Sequence, residues 1–160
     1  MSAPILSNYD SEYHVYQEDA NKLVRELEPV DVAYLDPPYN QHPYGSNYFM
    51  LNLILDNAMP EAVSAVSGIP SNWKRSSYNK RAKALSSMED LITNLHAKYI
   101  IVSYNNEGFI SEDEMVGMLS RFGNVSTKTI EYNAFRGSRN LHNRKLKTNE
   151  YLFTLRKESA

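Results

Sequence analysis

An acid, two rigid prolines and an aromatic ring stand in succession at Asp36, Pro37, Pro38 and Tyr39, directly after the apolar run "VAYL". Asp36 offers a carboxylate acceptor, Pro37 a carbonyl on stiff backbone, and Tyr39 a flat face for a planar ring. Two acceptors beside a stacking plate suit an exocyclic amine on a heteroaromatic base. Holding both amine hydrogens aims the nitrogen lone pair at an electrophile. A proline turn with a capping acid is the plainer alternative for the same residues.

Such a site needs a scaffold. "VDVAYL" and "YIIVSY" are almost continuous apolar runs, which predicts parallel strands covered on both faces. "YHVYQ" reads weakly as a further strand. The runs "VSTKTIEY" and "EYLFTLR" alternate more, which predicts a C-terminal antiparallel pair. Helices fall between the strands. Asp19 can cap one with Leu23, Val24 and Leu27 inward, and Ser46 or Asn47 can start another through "YFMLNLIL". A long one through "KALSSMEDLITNLH" places Leu85, Met88, Leu91, Ile92 and Leu95 on one face. Ser111 and Glu114 form a capping box, and Gly123 stands where the helix reaching Phe122 should stop. Strands alternating with helices predict an α/β domain whose ligands bind beyond the carboxyl ends of the strands, where Asp36 lies.

With 160 residues and 42% hydrophobic content, the chain suits a single compact domain. Its net charge of -2 announces no polyanionic partner. The distribution says more. Lys74, Arg75, Lys80, Arg81 and Lys83 crowd the stretch from Pro70 to Ala84, and Arg136, Arg139, Arg144, Lys145 and Lys147 the stretch from Ala134 to Thr148, with no acid in either. Together they predict a positive face; solvated loops are the alternative. No cysteine is present, which excludes disulfides, thiolate metal sites and thiol nucleophiles. The opening residues lack the pattern of a signal peptide, and no apolar run approaches the ~20 residues of a membrane span, so a cytoplasmic protein is expected. The six glycines never form G-x-G, so the glycine-rich first turn of a nucleotide site is missing.

"DPPY" after an apolar strand resembles the catalytic motif of amino-group methyltransferases that use S-adenosylmethionine. The ordered segments "VAYLDPPYNQHPYGSNYFMLNLI", "RSSYNKRAKAL", "IIVSYNNEG" and "NEYLF" resemble the D12 class of adenine-specific DNA methyltransferases, from about His14 to about Leu155. The resemblance implies a partial Rossmann-like methyltransferase sheet and methylation of adenine N6 in DNA, as in restriction-modification. It implies that Asp36 and the Pro37 carbonyl accept from N6, with Pro38 completing the motif and Tyr39 stacking on the base. Asp19 and Asp36 would border the S-adenosylmethionine site, and Phe49 would form an apolar wall of it; no metal is implied. The "SYNN" segment, Ser103 to Asn106, would border the same cleft. Tyr132 or Phe135 would close the other side of a base sandwich. Double-stranded DNA would be gripped by Lys74, Arg75, Arg136, Arg139, Arg144 and Lys145, with Trp73, Tyr78 and Phe135 free to stack or wedge. The target base must leave the duplex.

The family pattern also includes a glycine-rich donor loop and a target-recognition segment before DPPY, neither of which this sequence contains. Only one helix and its strand fit between Asp19 and Asp36, where the family places two further strands. The expectation is therefore a C-terminal catalytic part, residues 1–160, that needs an N-terminal methyltransferase half. On that order Val30, Val32 and Leu35 would lie on an unpartnered edge. Two alternatives remain: a non-catalytic nucleic-acid-binding remnant or interaction subunit, and part of an RNA methyltransferase.

Overall fold

The computed structural model describes residues 10–60, 62–65, 69–70, 76–133 and 147–158. In chain order the elements are α1 (Ala20–Leu23), β1 (Val30–Leu35), α2 (Tyr44–Asn47), α3 (Phe49–Asp56), a 3-10 turn η1 (Ser77–Asn79), α4 (Arg81–Asn94), β2 (Ala97–Asn105), α5 (Glu112–Leu119), β3 (Gly123–Asn133) and β4 (Lys147–Lys157). The four strands form one mixed sheet in the order β1-β2-β4-β3. β1 runs parallel to β2, from Val30 opposite Ala97 to Leu35 opposite Val102. β4 is antiparallel to both β2 and β3, as the alternation of the C-terminal runs predicts.

Register decides which side chains reach the core. Ile100 and Val102 of β2 stand opposite Leu155 and Phe153 of β4, all four with no exposure, and Ala33 and Leu35 of β1 share their face. Met88, Leu91 and Ile92 from α4 and Met115, Met118 and Leu119 from α5 join the same cluster. Burying a side chain such as Ile92 or Phe153 contributes about 1.5–3 kcal/mol before entropy is counted. The expected face of α4 is seen, with Met88, Leu91, Ile92 and Leu95 buried. Lys157 ties β4 to the end of this helix: its Nζ donates to the carbonyls of Ile92 (2.8 Å) and Leu95 (2.9 Å). α5 opens with the expected box, in which Ser111 Oγ accepts from the Glu114 N–H and Glu114 Oε2 accepts from the Ser111 N–H at 2.8 Å.

Four expectations are corrected. "YHVYQ" forms no strand, because no described segment pairs with it. Ser46 and Asn47 do not start a helix but belong to α2, which begins after Pro43, while α3 begins at Phe49. α5 stops at Leu119, and Gly123 instead opens β3 with φ +152°, where a Cβ would run into the Arg156 carbonyl of β4. The sheet is not covered on both faces by the described elements. The core face carries α4 and α5, whereas Val32 and Tyr34 point to the other face and are 54% and 61% exposed. Among the described strands β1 lies at the edge: Val30 is exposed too, but Leu35 packs on the core beside Val102. α3 is equally bare, with Met50, Leu51, Ile54 and Leu55 all exposed. No helix among the described residues is long and apolar enough to cross a membrane.

Candidate functional site

β1 delivers Asp36-Pro37-Pro38-Tyr39 beyond its last paired residue, Leu35, at the carboxyl end of the parallel pair. Two cavities flank this loop. The larger, ≈ 830 Å³, is lined by Asp19, Tyr34, Asp36, Pro37, Ser76 and Tyr78 among others. The smaller, ≈ 410 Å³, is lined by Pro38, Tyr39, Asn40, His42, Tyr44 and Asn47. Pro38 and Tyr44 belong to both and stand between them.

The backbone leaving the loop is tied down from three directions. The Tyr39 carbonyl accepts from the Phe109 N–H at 2.8 Å and from the Tyr104 hydroxyl at 3.2 Å. The Asn40 carbonyl accepts from Asn79 Nδ2 at 2.8 Å. Asn79 also closes the η1 turn through Oδ1, which accepts from the Ser76 N–H. Tyr104 is 2% exposed, meets the Tyr39 ring edge-on with centroids 6.2 Å apart, and has its hydroxyl pKa raised by burial. By contrast, no described donor meets the Pro37 carbonyl or the Asp36 carboxylate. The carbonyls of Tyr39 and Asn40 are thus bound, while the two acceptors ahead of them meet no donor among the described residues.

Asp19 reaches the larger cavity from the start of α1, where its Oδ1 caps the helix by accepting from the Asn21 N–H at 3.0 Å. The next turn is anchored to α4. Asn21 Nδ2 donates to Asp90 Oδ2 and to the Ser87 carbonyl, each at 2.8 Å, and the Tyr78 hydroxyl donates to Asn21 Oδ1 at 2.9 Å. Burial, then the charges of Asp19 and Asp90, push the Tyr78 pKa well up, so this hydroxyl stays a donor. The Tyr44 hydroxyl is likewise raised, first by burial and then by Asp36.

Asp19, Asp36, Pro37 and Pro38 thus share one cavity, with Tyr39 on the adjoining one. Phe49 opens α3, half-buried, and lines neither. From "SYNN", Tyr104 braces Tyr39 from beneath, whereas Asn106 Oδ1 accepts from Thr148 at 2.9 Å on β4. Tyr78 is not available as a wedge for DNA: it is 6% exposed and bonded inward. Tyr132 belongs to β3, opposite Thr148. Lys74, Arg75, Trp73, Phe135, Arg136, Arg139, Arg144 and Lys145 lie outside the described residues. Tyr44 and Ser76 line the cavities and Asn79 holds the loop, and the motif alone reveals none of the three. Their only sequence signal is position within the ordered segments after DPPY and in "RSSYNKRAKAL".

Comparison with known proteins gives the same direction. The family model for D12 class N6 adenine-specific DNA methyltransferases matches residues 3–118. Modification methylase StsI of Streptococcus sanguinis is 40% identical over 127 residues, covering 75% of this chain and 19% of that protein. Type II methyltransferase M.NlaIII of Neisseria lactamica is 36% identical over 160 residues, covering 96% of this chain and 46% of that protein. Type II methyltransferase M.FokI of Planomicrobium okeanokoites is 31% identical over 146 residues, 91% of this chain and 22% of that protein. The chain therefore spans half or less of the length of these relatives. No solved structure gives a significant match.

Proposed function

This chain belongs to the D12 class of N6 adenine-specific DNA methyltransferases, and from that premise we propose that it carries the amine-binding part of an enzyme methylating adenine N6 in DNA. One observation carries the reading: the Asp36 carboxylate and Pro37 carbonyl are left without described donors, while the carbonyls of Tyr39 and Asn40 just beyond are bound. Asp36 and Pro37 accept the two N6 hydrogens and draw the lone pair out of conjugation with the ring. Tyr39 stacks on the base, which must first be flipped from the duplex.

The larger cavity suits S-adenosylmethionine. It joins an acid, Asp19, to the apolar side chains of Leu35, Met88 and Leu91 beside Asp36. When bound, this cofactor supplies the electrophilic methyl group. Asp19 would contact its adenine, and Pro38 and Tyr44, which line both cavities, would stand where its methyl group meets the base. The assembled fold is a Rossmann-like methyltransferase sheet of which residues 1–160 supply one domain part. A complementary N-terminal half, in the same polypeptide or another, supplies the remainder. Support comes from the bare apolar edge of β1, a liability in an isolated sheet, and from the exposed apolar helix α3. The basic segments that include Lys74, Arg75, Arg136, Arg139, Arg144 and Lys145 grip double-stranded DNA.

Transfer of labelled methyl groups from S-adenosylmethionine to adenine-containing duplex tests the reading, with this chain alone and joined to a D12 N-terminal half. Transfer should occur in the joined form and vanish in Asp36→Ala. No transfer in either form, or full transfer by Asp36→Ala, would overturn it.

A further inference from the structure

The carbonyls bound beyond the DPPY motif lead to residues outside it. We infer that Asn79 and Tyr104 are positioning residues that fix the peptides of Tyr39 and Asn40, so that the Tyr39 ring and the Pro37 carbonyl face one base. The inference rests on the methyltransferase reading for its substrate, but its geometry stands independently.

Three donors from three separated segments converge on two successive carbonyls. Tyr104 comes from β2, the Phe109 N–H from the turn before α5, and Asn79 from η1. Both side chains are buried, Tyr104 at 2% and Asn79 at 8% exposure, so neither can touch DNA or donor from where it sits. Each is also held from behind. The Ile110 N–H donates to the Tyr104 hydroxyl at 3.4 Å, and the Ser76 N–H donates to Asn79 Oδ1 at 3.2 Å. A flexible loop would present the stacking ring in many orientations. Restraining the Tyr39–Asn40 peptide and the peptide after it lowers the cost of reaching a reactive geometry, which acts on turnover more than on donor binding.

Two substitutions separate this role from general stability. Tyr104→Phe removes only the hydroxyl. Asn79→Asp keeps the oxygen that closes η1 and replaces the donor facing Asn40 by an acceptor. In the joined enzyme, each should lower kcat at least tenfold and leave the KM for S-adenosylmethionine within twofold. The Phe109 amide, measured by hydrogen exchange on this chain, should exchange faster in Tyr104→Phe than in the parent. In Asn79→Gln the retained amide donor should restore part of kcat.

A kcat at the parent level in both Tyr104→Phe and Asn79→Asp would overturn the inference. So would losses in kcat that track the fall in melting temperature and disappear on cooling. If the parent itself methylates no DNA, the methyltransferase reading fails. The exchange rate of Phe109 then decides the clamp, and an unchanged rate in Tyr104→Phe rejects it.

Discussion

Replacing Tyr39 by alanine removes a stacking face while sparing the tether that holds it. The tether is backbone: the Tyr39 carbonyl is bound by Phe109 and Tyr104, and neither bond involves the ring. The ring itself is half-buried, packs against the edge of the core and meets Tyr104 edge-on. Stacking of a base on an aromatic side chain is worth about 1–3 kcal/mol by alanine substitution. At 1.4 kcal/mol per factor of ten, kcat/KM should fall by about 5- to 150-fold. No described group hydrogen-bonds the Tyr39 hydroxyl, so Tyr39→Phe should remain within about threefold, the scale of an ordinary surface change. Methyl transfer to duplex DNA at subsaturating substrate reads both variants. A melting curve of each separates loss of packing from loss of stacking. Equal falls in the two variants would shift the role to the hydroxyl, and parent-level activity in Tyr39→Ala would remove the ring from the mechanism.

Other perturbations test the frame around the site. A Cβ on Gly108 would stand 2.8 Å from Tyr104 Cζ, in a ring too buried to retreat, so Gly108→Ala should cost about 1–3 kcal/mol. At about 2–4 °C per kcal/mol its melting point should drop visibly, and an unchanged value would mean that the turn yields freely. Ser111→Ala removes the cap of α5 and should cost about 1 kcal/mol near neutral pH. The Ser111 N–H and hydroxyl lower the folded pKa of Glu114, so that part of the stability is present above the unfolded carboxylate range and lost as pH falls through the depressed value. The gap in melting temperature between parent and Ser111→Ala should therefore narrow in acid, and a constant gap would contradict the capping account. Neutralising Arg136, Arg139, Arg144 and Lys145 together should flatten the dependence of log affinity on log salt by about 0.9 for each phosphate that is no longer neutralised. An unchanged slope would return that segment to solvent.

Much of the central scaffold was legible because its signals are local. "VDVAYL" and "YIIVSY" form the parallel pair, the heptad-like spacing in "KALSSMEDLITNLH" gives the buried face of α4, and Ser111 with Glu114 marks the start of α5. What failed depends on long-range partners. "YHVYQ" has strand composition but no described strand beside it, and the apolar content of β1 reflects one packed face and one bare one rather than two covered faces. Gly123 looks like a helix stop, yet its requirement comes from the close approach of β4. The same division holds at the site. Asp36 to Tyr39 are contiguous and could be read directly, and Asp19 came from the resemblance. Asn79 and Tyr104 are distant in sequence and meet the loop only after β2 and η1 are in place. Tyr78 looked like an exposed aromatic among charges because nothing local shows that Asn21 and Ser87 bind its hydroxyl.

The identity of the methylated atom tests the central claim most directly. Duplex DNA treated with S-adenosylmethionine and this chain, joined to a D12 N-terminal half, would be digested to nucleosides and analysed by mass spectrometry. The proposed role of Asp36 and Pro37 in holding the amine predicts N6-methyladenine, absent when Asp36→Ala replaces the parent. Methylcytosine as the only product would contradict the account.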